Sequence, residues 1–163
     1  ASMRIPPPRR IGISSRAHTG RAIRIRGYVA QAWRGGHANA ELHPAIAVLG
    51  IAHHFKKGQY SAAYSGFEGI EDNTDRIQTR EEVTAEQSAG KTLANALKAA
   101  GVTQVDVVGI AESHCVKDTA LDAKRLGFDV TVFEDLTVPV SEELGVAARK
   151  QMADAGIILA EAR

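Results

Sequence analysis

From residue 77 onward the chain alternates between stretches of helical spacing and stretches rich in β-branched residues, and nothing else in the sequence restricts the fold as much. "TAEQSAGKTLANALKAAG" sets Leu93, Leu97 and Ala100 at helical spacing and ends in Gly101, placed to cap a helix C-terminus. "VTQVDVVGI" follows, nearly continuous in apolar character toward its end, as a strand buried on both faces requires. "VKDTALDAKRLG" is amphipathic and again glycine-terminated, and "FDVTVFEDL" reads as the next strand. "SEELGVAARKQMADAG" begins at Ser141 with Glu142 and Glu143 in its first turn, where carboxylates complement the helix dipole, and "IILA" supplies a last short strand. The order α-β-α-β-α-β predicts an α/β fold with a doubly wound, mostly parallel sheet and right-handed crossovers, in which Val105–Ile110 and Asp129–Phe133 are neighbouring parallel strands.

The opening of the chain differs in kind. Residues 1–40 hold eight arginines, Arg4, Arg9, Arg10, Arg16, Arg21, Arg24, Arg26 and Arg34, with no lysine and no acid, whereas the rest carries 12 basic residues against all 19 acids. A net charge of +1 therefore conceals a +8 segment joined to a −7 remainder. The segment also has a triple proline, scattered glycine and serine, and only one short alternation, Ile23/Ile25, that could pass for a strand. Residues 1–40 thus read as a basic, poorly structured or atypical segment, strands from it are doubtful, and residues 41–163 read as the folded domain. A length of 163 residues at 44% hydrophobic suits one domain with a real core. No stretch approaches the ~18 consecutive apolar residues of a membrane span, and the start lacks the apolar block of a secretory signal, so the reading is a soluble, cytoplasmic protein without a membrane partner.

Cys115 is the only cysteine, which rules out an internal disulfide and a four-cysteine zinc site. In a sheet of this kind ligands sit beyond the carboxyl ends of the strands, and Ala111–Cys115 is the connection leaving strand Val105–Ile110. Cys115 lies at that rim, at or just before a helix N-terminus, where unpaired N–H groups and the helix dipole favour a thiolate over a thiol. Backbone N–H groups of the same turn could face a developing oxyanion. A lone cysteine is about as often a small buried hydrophobe, so position alone leaves nucleophile and packing residue both open.

Two motifs carry a resemblance. "VDVVGIAESHCVKDTALDAKRLGFDVTVFEDLT" resembles the nucleophile segment of nicotinamidase/pyrazinamidase enzymes, within the isochorismatase-like cysteine hydrolases. "FKKGQYSAAYSGFEG", Phe55 to Gly69, is similar to that family's lysine loop, with Lys57-Gly58 and Tyr64-Ser65-Gly66-Phe67 in register. The resemblance covers about residues 53–163, and a weaker "NAELHP" at Asn39–Pro44 is similar to the segment following the family's metal site. It implies that Cys115 is the nucleophile and Lys57 the cationic member of a Cys-Lys-Asp triad. Ala111 and Cys115 would supply the backbone oxyanion hole, and Tyr64, His114, Ile110, Ala111 and Trp33 would line the pocket for a small carboxamide. The Ile110–Ala111 peptide would match a cis bond. The implied chemistry is hydrolysis of nicotinamide to nicotinate and ammonia through a cysteine thioester. A divalent metal, zinc, iron or manganese, is expected of the family, with His37 the one candidate ligand. Read without the resemblance, Lys57 beside Lys56 is more often a solvated charge, and Tyr64 and Phe67 are ordinary core.

The departures are as specific as the matches. The family's "DVQNDF"-like segment, whose aspartate takes the cysteine's proton, and its Asp-x-His metal ligands have no counterpart, because no acid precedes Glu41. His18, His43, His53 and His54 show no ligand spacing. "EDNTDRIQTREEVTAEQS" lengthens the loop between the motifs, and the family's "TD" before the cysteine motif is Glu112-Ser113, which makes Glu112 the nearest replacement base. Three accounts follow: an active amidohydrolase with a substitute base; a degenerate or frame-shifted inactive member; and a binding protein whose basic arm meets nucleic acid or another polyanion. The last ranks lowest, since aromatics interleaving the arginines are few and no reading motif is present. Exposed sheet flanks leave a homo-oligomer open.

Overall fold

The computed structural model describes residues 10–17, 22–29, 51, 53–72 and 78–162. In chain order its elements are β1 (Arg10–Ala17), β2 (Ala22–Val29), β3 (His53–Lys57), β4 (Ile70–Glu71), α1 (Arg80–Ser88), α2 (Leu93–Ala99), β5 (Val102–Ile110), a π-helical turn (Glu112–Val116), α3 (Lys117–Arg125), β6 (Asp129–Val138), α4 (Glu142–Asp154) and β7 (Ile158–Ala160). The seven strands form one sheet in the order β4-β3-β2-β1-β5-β6-β7.

The βαβαβ run forms as the alternation predicts. β5 and β6 pair in parallel, with Val105 opposite Val130 and Val107 opposite Val132, and β6 and β7 pair in parallel. The other half is mixed. β1 lies antiparallel to both β2 and β5, β2 is parallel to β3, and β3 is antiparallel to β4. The antiparallel pairings thus come from β1, β2 and the two-residue β4. Residues 10–17 and 22–29, read from composition as part of a poorly structured arm, run as strands, the first beside β5 with Ile13 opposite Val107 and the second beside the first with Ile25 opposite Ile13. Ladder hydrogen bonding is made by the backbone, so an arginine-rich strand pairs without the apolar run by which a buried strand is ordinarily recognised.

The stretch that ends at Gly101 is two helices rather than one. Thr79 and Glu82 form a capping box that starts α1, with Glu82 N donating to Thr79 Oγ1 at 3.2 Å and Thr79 N to the Glu82 carboxylate at 2.6 Å. The chain then turns at Gly90, φ +75°, and Thr92 caps α2 by accepting from Asn95 N at 3.3 Å. Part of the expected long loop is therefore α1. Ser141 starts α4 as read, its hydroxyl accepting from Leu144 N.

Phe55, Leu93, Leu97, Val105, Val107, Val116, Ala120, Phe128, Val130, Val132 and Met152 form the buried cluster, drawn from both motif-bearing halves. Each large apolar side chain so buried contributes about 1.5–3 kcal/mol. No helix among the described residues is long and apolar enough to cross a membrane.

Candidate active site

β3 and β5 are separated by two strands but point the same way, since β3 is parallel to β2 and two antiparallel steps through β1 lead to β5. Lys57, the last residue of β3, and the turn after β5 therefore share one rim of the sheet. At the end of β5 the Ile110–Ala111 peptide is cis, the bond the resemblance implied. The next five residues form the π-helical turn, in which the Val116 and His114 N–H groups both donate to Ala111 O at 3.1 Å. The wide turn carries Cys115 into the domain, where only 6% of it is exposed, two residues before α3 begins.

Lys57 meets it there. Lys57 is 1% exposed, donates to the carbonyl of Tyr64 and lies close enough to Cys115 for the two to interact electrostatically. Burial pushes the pKa of Lys57 below the ordinary lysine value, because desolvation penalises the cation; Cys115, Glu68 and Asp118 act in the opposite direction and offset part of it. A lysine that sequence alone reads as a solvated charge is thus fully enclosed beside the only thiol.

The loop after β3 is shaped by local bonds. Gly58 has φ +72°, which lets the chain turn away from the strand. Ser65 and Glu68 form a capping box around a 3-10 turn, with Ser65 N donating to Glu68 Oε2 at 2.8 Å and Phe67 N to Ser65 Oγ at 3.2 Å. Gly66 N donates to Thr119 Oγ1 on α3 at 2.8 Å, and the Phe67 and Phe128 rings stack at 6.2 Å. Held in this way, the loop places the half-exposed Tyr64 ring 5.6 Å from the His114 ring, at 47°. Ser113 Oγ contacts His114 Nδ1 at 2.9 Å and accepts from Val140 N at 3.1 Å.

The structure thus brings together Lys57, Tyr64, His114 and Cys115, with Ile110 at the end of β5 and Ala111 at the start of the turn that carries His114 and Cys115. Trp33 and His37 lie outside the described residues. Glu112, the nearest replacement base by sequence, is 1% exposed and engaged elsewhere: Arg149 Nη1 on α4 donates to both of its carboxylate oxygens at 3.1 Å. Among the described residues no group of three or more His, Cys, Asp and Glu side chains converges to hold an ion, so these residues by themselves do not fit the metal the resemblance implies.

Two contributors went unnoticed in the sequence. Thr119 stands four residues after Cys115, one helical turn along, and that spacing could have indicated a shared face. Arg149 occupies the inward stripe of α4 with the buried Gly145, Ala148 and Met152, a charge at helical spacing within a row of small and apolar residues.

Residues 17–163 match the Isochorismatase domain family. A nicotinamidase/pyrazinamidase of Mycobacterium tuberculosis is 41% identical over 124 residues, which cover 76% of this chain and 58% of the relative. Among solved structures, PnC1 from L. infantum in complex with nicotinate superposes with a TM-score of 0.59 at 33% identity, over 77% of this chain and 57% of that one. A pyrazinamidase of Pyrococcus horikoshii in complex with zinc gives 0.51 at 30% identity, over 67% and 50%. The chain spans little more than half the length of these relatives. With the family match running from the last residue of β1 through β7 and taking in both the lysine loop and the cysteine turn, the chain belongs to the isochorismatase family.

Proposed function

We propose that the chain is a nicotinamidase-type amidohydrolase that converts nicotinamide and water to nicotinate and ammonia through a thioester on Cys115. The observation that carries this reading is the enclosed contact of Lys57 with Cys115 at one rim of the sheet, bordered by the Tyr64 and His114 rings. An ammonium against sulfur favours the thiolate, which is the nucleophilic form. Lys57 is suited to both halves of proton transfer, since burial lowers the affinity of its amine for a proton while the neighbouring sulfur restores part of it.

The reaction balances with these groups. The proton of the thiol passes to the Lys57 amine, and the thiolate attacks the carboxamide carbon. The oxyanion that forms is received by the backbone N–H groups of Ala111 and Cys115. The C–N bond then breaks as Lys57 returns a proton to the departing nitrogen, releasing ammonia and leaving the nicotinoyl thioester. Water adds to the thioester carbon as one of its protons passes to Lys57, the C–S bond breaks to give nicotinic acid and the thiolate paired with the Lys57 ammonium, and the acid loses its proton to the released ammonia to become nicotinate. Tyr64 and His114 flank the aromatic ring.

The test is ammonia and nicotinate formation from nicotinamide by the purified chain, with Cys115→Ala as control. Turnover that vanishes in Cys115→Ala is expected; turnover indifferent to that change, or none at all from a chain that melts cooperatively, refutes the reading.

A further inference from the structure

Arg149 lies across the molecule's primary sequence from the lysine loop, yet it reaches the first residue of the cysteine-bearing turn. Its Nη1 donates to Oε1 and Oε2 of Glu112 at 3.1 Å, its Nη2 to Glu142 Oε1 at 2.6 Å, and its Nε lies 3.9 Å from Glu134. The groups facing the Glu112 carboxylate are thus Arg149 and Glu142 on α4 and Glu134 on β6. Glu112 itself is 1% exposed. A buried ion pair of this type gives little net stability over apolar side chains of the same volume, so stability alone does not account for it. It does fix geometry. Both carboxylate oxygens are held by one rigid guanidinium, at the position from which the π-helical turn sets out and three residues before the thiol. A second tie joins the same turn to the same side of the fold, where Val140 N, in the β6–α4 connection, donates to Ser113 Oγ at 3.1 Å.

We propose that Arg149 is a positioning residue for Cys115, clamping Glu112 so that the turn delivers the sulfur to Lys57. The proposal rests on the reading of Cys115 as the nucleophile. It gives Glu112-Ser113 a role where the sequence suggested a replacement base: these two residues anchor the turn to α4 and the β6–α4 connection. Displacement of a reacting atom by about 1 Å can cost on the order of 10²-fold in rate, so a clamp remote from the chemistry is enough to set reactivity.

Alkylation of Cys115 by iodoacetamide reads the position of the thiol without depending on the substrate. In Arg149→Ala the second-order rate at neutral pH should fall by about tenfold or more. Millimolar guanidinium chloride should restore part of the loss where equal sodium chloride does not, and Arg149→Lys, which keeps the charge without the planar fork, should fall between the two. In nicotinamide turnover the loss should appear in kcat with KM little changed. A cooperatively melting Arg149→Ala that alkylates at the unmodified rate, or slows without recovery in guanidinium, overturns the proposal. Should Arg149→Ala not fold, Arg149→Lys carries the comparison and an unchanged rate overturns it equally. Guanidinium-dependent alkylation without nicotinamide turnover would retain the clamp and refute the proposed function; turnover with alkylation indifferent to Arg149 would do the reverse.

Discussion

The backbone N–H of Gly66 donates to Thr119 Oγ1 at 2.8 Å, joining the lysine loop to the helix that follows the cysteine turn across 53 residues of chain. The threonine is fully buried, so both groups have left water to make this bond. It is a direct hydrogen bond between the two motifs on which the resemblance rested. Thr119→Val keeps the shape and removes the acceptor, leaving a buried N–H unpaired, at a cost of about 1–3 kcal/mol. The denaturant midpoint should drop accordingly with an unchanged slope, and an unchanged midpoint would show that another acceptor replaces the hydroxyl.

Lys57→Met should act on reactivity and on stability with different pH signatures. It removes the cation beside the sulfur, so alkylation of Cys115 at neutral pH should slow. The stability effect follows from the lowered pKa of Lys57, caused first by burial. Between that lowered value and the ordinary lysine value the unfolded chain binds more protons than the folded one, so stability rises with pH across the window. Below the window the cost of burying the cation is present in full. Stability of the native chain relative to Lys57→Met should therefore improve as pH rises through this range, and parallel denaturant curves for the two proteins across it would remove Lys57 from its enclosed position.

The half-exposed Tyr64 ring tests substrate binding apart from thiol chemistry. Its side chain faces His114 at 5.6 Å, while its backbone carbonyl, which any substitution retains, receives Lys57. Loss of one ring from an aromatic pair costs about 0.5–1.5 kcal/mol beyond the area it buries. Tyr64→Ala should raise KM for nicotinamide several-fold while alkylation by the much smaller iodoacetamide changes far less. Equal losses in both assays would mean that the ring orders the loop rather than the substrate.

What the sequence revealed follows from which interactions are local. β5, α3, β6, α4 and β7 were legible because helical spacing, β-branched runs, a Ser141 cap and terminal glycines are each encoded within a few residues. The break between α1 and α2 was legible in principle, since Gly90 and Thr92 both fall within the three residues before Leu93, but the apolar spacing alone reads through it. β1 was not legible and β2 showed only the short Ile23/Ile25 alternation, because backbone pairing with β5 and β3 leaves little mark in an arginine-rich composition. Lys57 and Cys115 could be named from motifs; their enclosure could not, as it depends on the direction of strands that are not neighbours. The pairing of Glu112 was hidden for the same reason. Its partner is 37 residues away on α4, and a carboxylate three residues before a thiol looks like a base until that arginine is seen.

The rate of nicotinamide hydrolysis should be limited by proton transfer. No acidic residue precedes Glu41, so the aspartate that the resemblance assigns to the thiol's proton has no counterpart on β1 or β2. Arg149 holds both carboxylate oxygens of Glu112, and the proposed mechanism gives the proton transfers to Lys57. A positioned base contributes about 10²–10⁴ in rate, and one amine serving as base, acid and counter-cation recovers only part of that. We therefore expect kcat for nicotinamide to lie on the order of 10²-fold or more below that of the mycobacterial relative assayed side by side, with Cys115→Ala abolishing what remains. Replacing part of β1 by a "DVQNDF"-like segment should raise kcat. Thermal melts of the same proteins separate the causes: a missing base lowers turnover in a chain that melts cooperatively, whereas a disrupted sheet broadens the transition and exposes apolar surface. Cys115-dependent turnover equal to the relative's would show that a further group accepts the proton, and Glu112→Gln would then decide whether that group is the carboxylate under Arg149.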